Sequence, residues 1–271
     1  MLEVPQVITI ASTDSSGGAG INADLKTFHN QQVYAATIVV GLTAQNTYGV
    51  QNQYAIPTDF ISEQFKSIAD DLNIKAAKTG ALLDANRVHI VAKEWRHYEL
   101  GKLVIDPVMV AKGGAQLLSD EAISTMINEL IPQAYLITPN LPEAQVLVNQ
   151  TIITDDDVKQ AAKKIQKMGA KNVLIKGGHR SNSENNYADY ILYEDGSFEW
   201  LVMPGVNTNR THGTGDTLSA FITANLAKGY DLKIIMPKAK KFTYEAIRQT
   251  INVGHGHGPL NHWVKTTMES E

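Results

Sequence analysis

The chain has 271 residues, no cysteine and a formal net charge of −4. That length can bury the core of one large α/β domain or two small ones, and the lack of cysteine excludes disulfides, thiolate catalysis and thiolate metal sites. Near-balanced charge argues against nucleic-acid binding by bulk electrostatics, and no apolar stretch approaches the roughly 18–20 residues of a membrane span. The opening MLEVPQVITIASTD lacks a basic region followed by an apolar run and a small-residue cleavage site, so no signal peptide is expected and a cytoplasmic location fits.

Short apolar runs that end in Gly, Pro, Asp or Asn predict buried strands at 7–12, 35–44, 74–80, 102–108, 134–140 and 172–178. Helical spacing fills the intervals 18–31, 58–72, 84–98, 119–131, 141–149 and 155–169. In the last of these Thr154 caps, acids fill the first turn, lysines follow and Gly169 ends the run. Strand and helix in alternation predict an α/β fold with a mostly parallel sheet covered on both faces. The stretch 187–204 differs: two strands meet across EDGS, a hairpin signal. Helices at 214–228 and 232–252 close the chain. There is no repeat, and RSNSENN (180–186) is too short a loop to separate domains, so one domain over 1–271 is expected.

Ligands of such sheets bind beyond the carboxyl ends of the strands. Those ends are polar here: Thr13 and Asp14, Gln45 and Asn46, Lys78 and Thr79, Asp106, Thr138 to Asn140, and Lys176. Packing alone does not require so many polar groups at one pole.

GTGD (213–216) opens an apolar helix. A helix start leaves backbone N–H groups unpaired and carries partial positive charge, and Gly213 and Gly215 let a ligand approach that backbone closely. With Thr214 they can form a cradle for a phosphate; the turn read alone is equally a tight turn followed by a first-turn acid. Asp216 beside such a cradle can take a hydroxyl proton during phosphoryl transfer, where a loose transition state lets the proton leave late.

These segments carry a resemblance. TIASTDSSGGAGINADLKTF (9–28), LTAQNTYGV (42–50), KTGAL (78–82), VIDPVM (104–109), TPNLPEA (138–144), LIKGGH (174–179), THGTGDTLSAFITANLAKG (211–229) and GHGPLNHW (256–263) resemble, in order and almost end to end, the hydroxymethylpyrimidine/phosphomethylpyrimidine kinases of the ribokinase-like superfamily. The resemblance implies a three-layer αβα fold, ATP and Mg²⁺, a small-molecule hydroxymethylpyrimidine substrate and a homodimer. It implies that Asp24 accepts from the amino group of the aminopyrimidine, that Gln45 hydrogen-bonds its ring, and that Val108 lines the ring pocket. Asn140 and Glu143 of the Asn-x-x-Glu segment would organise Mg²⁺ through water, with Asp106 nearby. Lys176 and Lys112 would meet the ATP phosphates. Each residue also has a plainer reading. Asp24 can be a first-turn helix acid, Gln45 a loop polar group, Val108 ordinary core and Asn140 a helix cap; Asp106 can serve the turn before Pro107, and Lys112 can be a solvated lysine.

Three positions depart from that family. Asp216 stands where cysteine is usual, Ala81 where methionine follows KTG, and Ser12 where glycine ends the first strand. Aspartate after GTG resembles the catalytic base elsewhere in the superfamily. Ala81 implies a roomier pocket, which raises pyridoxal or pyridoxine kinase as the alternative activity, since those substrates also carry a hydroxymethyl group on an aza-aromatic ring. A non-catalytic binder of a nucleotide or vitamin precursor is a further alternative, opposed by the intact GTGD, TPNLPE and LIKGG segments. SSGGAG does not have the G-x-G-x-x-G spacing of dinucleotide dehydrogenases. GHGHG (254–258) is read as a glycine loop closing near the nucleotide rather than a metal site, and 238–249 as the solvated face of the last helix.

Overall fold

The computed structural model describes residues 3–109, 118–178, 186–266 and 268. Nine strands form one sheet in the order β3-β2-β1-β4-β5-β6-β7-β8-β9. These are β1 (Gln6–Ser12), β2 (Tyr34–Asn46), β3 (Gly49–Ala55), β4 (Ile74–Thr79), β5 (Lys102–Ile105), β6 (Leu136–Ile137), β7 (Asn172–Gly178), β8 (Asn186–Leu192) and β9 (Phe198–Pro204). Strands β2 to β7 in that order pair in parallel, and antiparallel strands extend both edges. The expected mostly parallel sheet is therefore present.

Side-chain alternation along the strands builds two cores. Ile8, Ile10, Ala77, Leu103, Ile105, Ile137, Val173 and Ile175 face one side. There they meet α2 (Thr58–Ala69), α3 (Ala85–Tyr98), α4 (Asp120–Thr125), α5 (Leu141–Val148) and α6 (Asp155–Lys167). Ala76, Val104, Leu136 and Leu174 face the other, against α7 (Thr214–Ala227) and α8 (Leu232–Arg248). Val7 on that same face packs with Phe28 of α1 (Gly20–Asn30) and with Ala220 and Ala224 of α7. The result is the expected three-layer αβα arrangement. Because α7 is covered by α1 and α8 as well as the sheet, its residues from Thr217 to Leu226 are all buried.

Several elements differ from the sequence reading. β3 was not expected: GVQNQYA is polar and mostly exposed, and it pairs only because the turn after Asn46 folds it back on β2. The helix expected at 119–131 is α-helical only to Thr125, continues as a π turn over Met126–Leu130 and ends in a 3₁₀ turn containing Pro132, which has no N–H to offer a helix. The strand expected at 134–140 pairs only at Leu136–Ile137, with an isolated bridge from Asn140 to Lys176; Pro139 and Asn140 already turn toward α5. α8 stops at Arg248 rather than 252.

β1 is the strand from which the order runs both ways, to β2 on one side and β4 on the other. That reversal opens a crevice beyond the carboxyl ends of β1 and β4. Residues of α1 and α7 line it from the same face of the sheet, where these helices pack together.

Candidate active site

The helix start predicted at 213–216 is present and bare. Gly213 is the N-cap of α7 with φ +81°, and no side chain caps the helix. Thr214 turns its hydroxyl back to the Thr211 carbonyl (2.7 Å). The first-turn N–H groups therefore have no intrahelical or side-chain cap acceptor. Gly215 is needed for contact: a Cβ there would lie 2.9 Å from Asp106 Oδ2 and 3.2 Å from Lys176 Nζ. The Lys176 ammonium thus lies against this helix start.

Lys176 Nζ donates to Asp106 Oδ1 at 2.7 Å, and Thr138 Oγ1 donates to the same oxygen at 3.2 Å. Burial would lower the Lys176 ammonium, but Asp106, Glu143 and Asp216 outweigh it and hold it above its ordinary value. Behind Lys176 the chain turns at Gly177 (φ +74°), whose N–H donates to Asp189 Oδ1 at 2.8 Å. Asp189 in turn accepts from Lys240 Nζ at 2.6 Å. This buried pair fixes the end of β7 and corrects the solvated face expected at 238–249: residues 238–247 are all buried or half-buried, because α8 packs into the second core.

Asn140 and Glu143 form a reciprocal capping box on α5. Glu143 N donates to Asn140 Oδ1 at 2.9 Å, and Asn140 N donates to Glu143 Oε2 at 2.8 Å. Burial pushes Glu143 up to about 7 against the pull of Lys176. Both side chains are tied to backbone, and among the described residues no group of three His, Cys, Asp or Glu could hold a metal directly. The donor set instead suits a hydrated Mg²⁺ held through its waters.

The crevice holds one group whose role strand-end polarity alone did not reveal. Lys78 on β4 is wholly buried, with Nζ 2.6 Å from Asp24 Oδ1 and 3.2 Å from Asp216 Oδ1. Thr9 Oγ1 donates to the other Asp24 oxygen at 2.6 Å. Asp24 itself has no exposed surface, so the direct hydrogen bond to a ring expected from the resemblance is not open in this conformation. Asp24 anchors Lys78 instead. Burial pushes Asp24 up to about 7 despite Lys78. Burial would also lower Lys78, yet Asp24, Asp216 and Asp106 hold it protonated above its ordinary value. For Asp216, burial is outweighed by Lys78, the Gly20 N–H and Lys176, so its carboxyl lies below the usual carboxylate range. Lys78 pairs with both carboxylates, and of the two Asp216 is the one held low.

At the substrate pole, Ser12 ends β1, and its N–H and Oγ both donate to the Ala81 carbonyl at 3.1 Å. Its hydroxyl is thus engaged within the protein. Gln45 Nε2 lies 3.1 Å from His212 Nε2, which is 2.8 Å from Asp14 Oδ2. Asp14 also accepts from the N–H groups of Ser16, Gly18 and Ala19, which shapes the SSGGAG loop over the start of α1. Val108 follows Asp106 and is part-buried beyond β5. GHGHG closes on the hairpin turn: His257 N–H donates to the Thr47 carbonyl at 2.7 Å and Gly256 N–H to Thr47 Oγ1 at 3.1 Å. The loop expected near the nucleotide thus packs on the β2–β3 turn. Lys112 lies outside the described residues. Asp14 and Lys78 are legible in the sequence only as strand-end polar groups, and His212 carries no local signal. A lysine inside the apolar strand IKAAKTG was the available signal for Lys78.

A three-layer αβα sheet with an uncapped helix start and a buried aspartate at its switch point is the arrangement of the ribokinase-like class of phosphotransferases. Comparison with known proteins narrows this. The family model described as phosphomethylpyrimidine kinase matches residues 14–261. A hydroxymethylpyrimidine/phosphomethylpyrimidine kinase of Haemophilus influenzae is 47% identical over 269 residues, covering 99% of this chain and all of that one. Among solved structures, a Bacillus subtilis pyridoxal kinase in complex with ADP superposes with a TM-score of 0.88 at 38% identity, covering 96% of this chain and 98% of that one. A phosphomethylpyrimidine kinase of Clostridium difficile superposes with a TM-score of 0.80 at 36% identity, covering 89% and 99%. The chain belongs to the phosphomethylpyrimidine kinase family, and its chemistry is that of a kinase.

Proposed function

We propose that the chain transfers the γ-phosphoryl group of ATP to the hydroxymethyl group of 4-amino-5-hydroxymethyl-2-methylpyrimidine, and then to the phosphate of the resulting monophosphate, in thiamine biosynthesis in the cytoplasm. The observation that carries this reading is the Asp216 carboxylate, kept ionised by Lys78 and set in the first turn of an uncapped helix beside Lys176. In the first transfer the hydroxymethyl oxygen forms a bond to phosphorus, the bond to the ADP leaving oxygen breaks, and Asp216 takes the hydroxyl proton. The N–H groups of Thr214, Gly215 and Asp216, with Lys176, stabilise charge on the moving phosphoryl group. Mg²⁺ supplies charge neutralisation on the phosphates, and Asp106, Asn140 and Glu143 would hold its waters. Gln45, Val108, Ser12 and Ala81 surround the ring.

A second reading, pyridoxal kinase activity, has one observation in its favour. Ala81 is small where the family resemblance implies methionine, and its carbonyl accepts from the N–H and Oγ of Ser12 at the carboxyl end of β1. The test is ATP consumption with Mg²⁺ and, at matched concentrations, the hydroxymethylpyrimidine, its monophosphate, pyridoxine or pyridoxal. Turnover of both pyrimidines with the pyridines far slower supports the first reading. Preference for pyridoxal overturns it in favour of the second.

A further inference from the structure

We propose that His262 is a positioning residue that aims a backbone N–H of the phosphoryl cradle, acting through Thr217 and the Gly213 carbonyl. The inference rests on the kinase reading above and adds a residue to it. His262 lies in the carboxyl-terminal segment, far along the chain from GTGD, and is 8% exposed. Its Nε2 is 2.9 Å from Thr217 Oγ1. Thr217 Oγ1 donates to the Gly213 carbonyl at 2.8 Å, and Thr217 N–H donates to the same oxygen at 2.9 Å. The hydroxyl has one hydrogen, and Gly213 receives it. The imidazole must therefore donate the second, which puts its proton on Nε2.

The Gly213 carbonyl and the Thr214 N–H belong to one planar peptide and point in opposite directions. Whatever fixes that carbonyl also fixes the N–H aimed at the transferring phosphoryl group. Gly213 needs such fixing, because a glycine at φ +81° has wide conformational freedom of its own. Thr217 alone could turn its hydroxyl elsewhere; the buried imidazole holds it in one orientation. Burial, with Lys26 adding to it and Asp216 opposing, lowers His262 to about 4, so the ring stays neutral with a single N–H near neutral pH.

The backbone that carries His262 is itself anchored. Asn30 Nδ2 donates to the carbonyls of His262 (2.8 Å) and Val264 (3.0 Å), and Gln31 Nε2 to that of Thr266 (3.2 Å). At the other end, His212 N–H donates to the Gly258 carbonyl at 3.2 Å. The segment thus runs as a strap from the substrate pole, past the cradle, to the end of α1.

The test compares the parent with His262→Ala, His262→Gln and Thr217→Val. It measures kcat and KM, and the affinities for ADP alone and for ADP with aluminium fluoride, a mimic of the transferring phosphoryl group. Removing a cradle donor outright costs about 10²–10³ in kcat, so a misaimed one is expected to cost about tenfold. The expectation is that His262→Ala and Thr217→Val each lower kcat about tenfold and weaken the fluoride complex in proportion. KM for ATP and affinity for ADP alone should stay within twofold. His262→Gln, which can still donate, should recover most of the loss, and the double variant should lose no more than either single one. If His262→Ala does not fold, Thr217→Val carries the test by itself. Variants with parental kcat, or with equal losses for ADP and its fluoride complex, overturn the inference. A parent that phosphorylates none of the substrates overturns the functional reading instead.

Discussion

Lys78 holds Asp216 by a 3.2 Å ion pair between the middle of the sheet and the first turn of α7. The same ammonium is anchored by Asp24 on α1, so one buried cation links two helices and one strand at the crevice. Asp216 is therefore both fixed in direction and kept ionised, the two properties a base for a hydroxyl proton needs. Asp216→Asn keeps the size of the side chain and removes the proton acceptor. The expected result is parental ADP affinity by calorimetry with kcat lowered by at least about 10². Turnover close to parental would remove Asp216 from the mechanism.

Lys78→Met should change the pH dependence of the reaction. Lys78 holds the Asp216 carboxyl below the usual range, so in the parent the acid loss of rate lies low. Without Lys78, burial and Asp24 prevail, the carboxyl rises, and the rate begins to fall at higher pH. The other groups facing Asp216 do not replace it: the Gly20 N–H is fixed in place, Lys176 is engaged by Asp106, and His262 is neutral. Stranding Asp24 without its partner costs about 3–5 kcal/mol, so the profile is best read in Lys78→Met combined with Asp24→Asn. An acid limb of kcat/KM at the parental pH would contradict this role.

The two glycines of the cradle should fail differently. A Cβ on Gly213 would sit 1.9 Å from the Gly18 carbonyl oxygen, at a φ of +81° that disfavours alanine in any case. Gly213→Ala should therefore lose stability, by about 2 kcal/mol or more in denaturant titration. At Gly215 the close atoms are ends of side chains, Asp106 Oδ2 and Lys176 Nζ. Gly215→Ala should fold with near-parental stability and lose turnover, because the methyl group displaces the ammonium from the cradle.

Asp14 should make acid stability depend on the SSGGAG loop. Burial would raise its carboxyl, but hydrogen bonds from His212 and Ser16 hold it down to about 2. A folded value below the unfolded one stabilises the protein above the unfolded pKa, and that contribution disappears as the pH falls from about 4 to about 2. At about 1.4 kcal/mol per pKa unit it amounts to about 2–3 kcal/mol. Urea unfolding of the parent should show that loss on acidification, and Asp14→Asn should lack that portion of it.

Ala81→Met tests which ring the pocket prefers. Extra side-chain atoms at this position should lower kcat/KM for pyridoxal more than for the hydroxymethylpyrimidine. The ratio of the two, measured in parent and variant, gives the answer directly. An unchanged ratio would show that Ala81 does not shape substrate choice.

Much of this was written in the local sequence. Apolar runs broken by Gly, Pro and Asp marked the parallel strands, since strands buried on both faces need continuous hydrophobicity. The bare GTGD turn announced a helix start with unsatisfied N–H groups, and TPNLPE announced the capping box at Asn140 and Glu143, because both are short-range patterns. β3 was invisible for the opposite reason: a polar edge strand owes its conformation to its partner, not to its own side chains. Tertiary structure alone decided the electrostatics of the crevice. Asp24, Lys78 and Asp216 lie on three elements distant in sequence, and only their convergence in a buried space holds one carboxyl below the usual range and leaves the other with no exposed surface. The same holds for His262 and Thr217, whose contact exists only because the chain's last segment passes over the first turn of α7. Sequence fixes which groups are available. Burial and distance, which set how strongly charges and dipoles act on one another, belong to the fold.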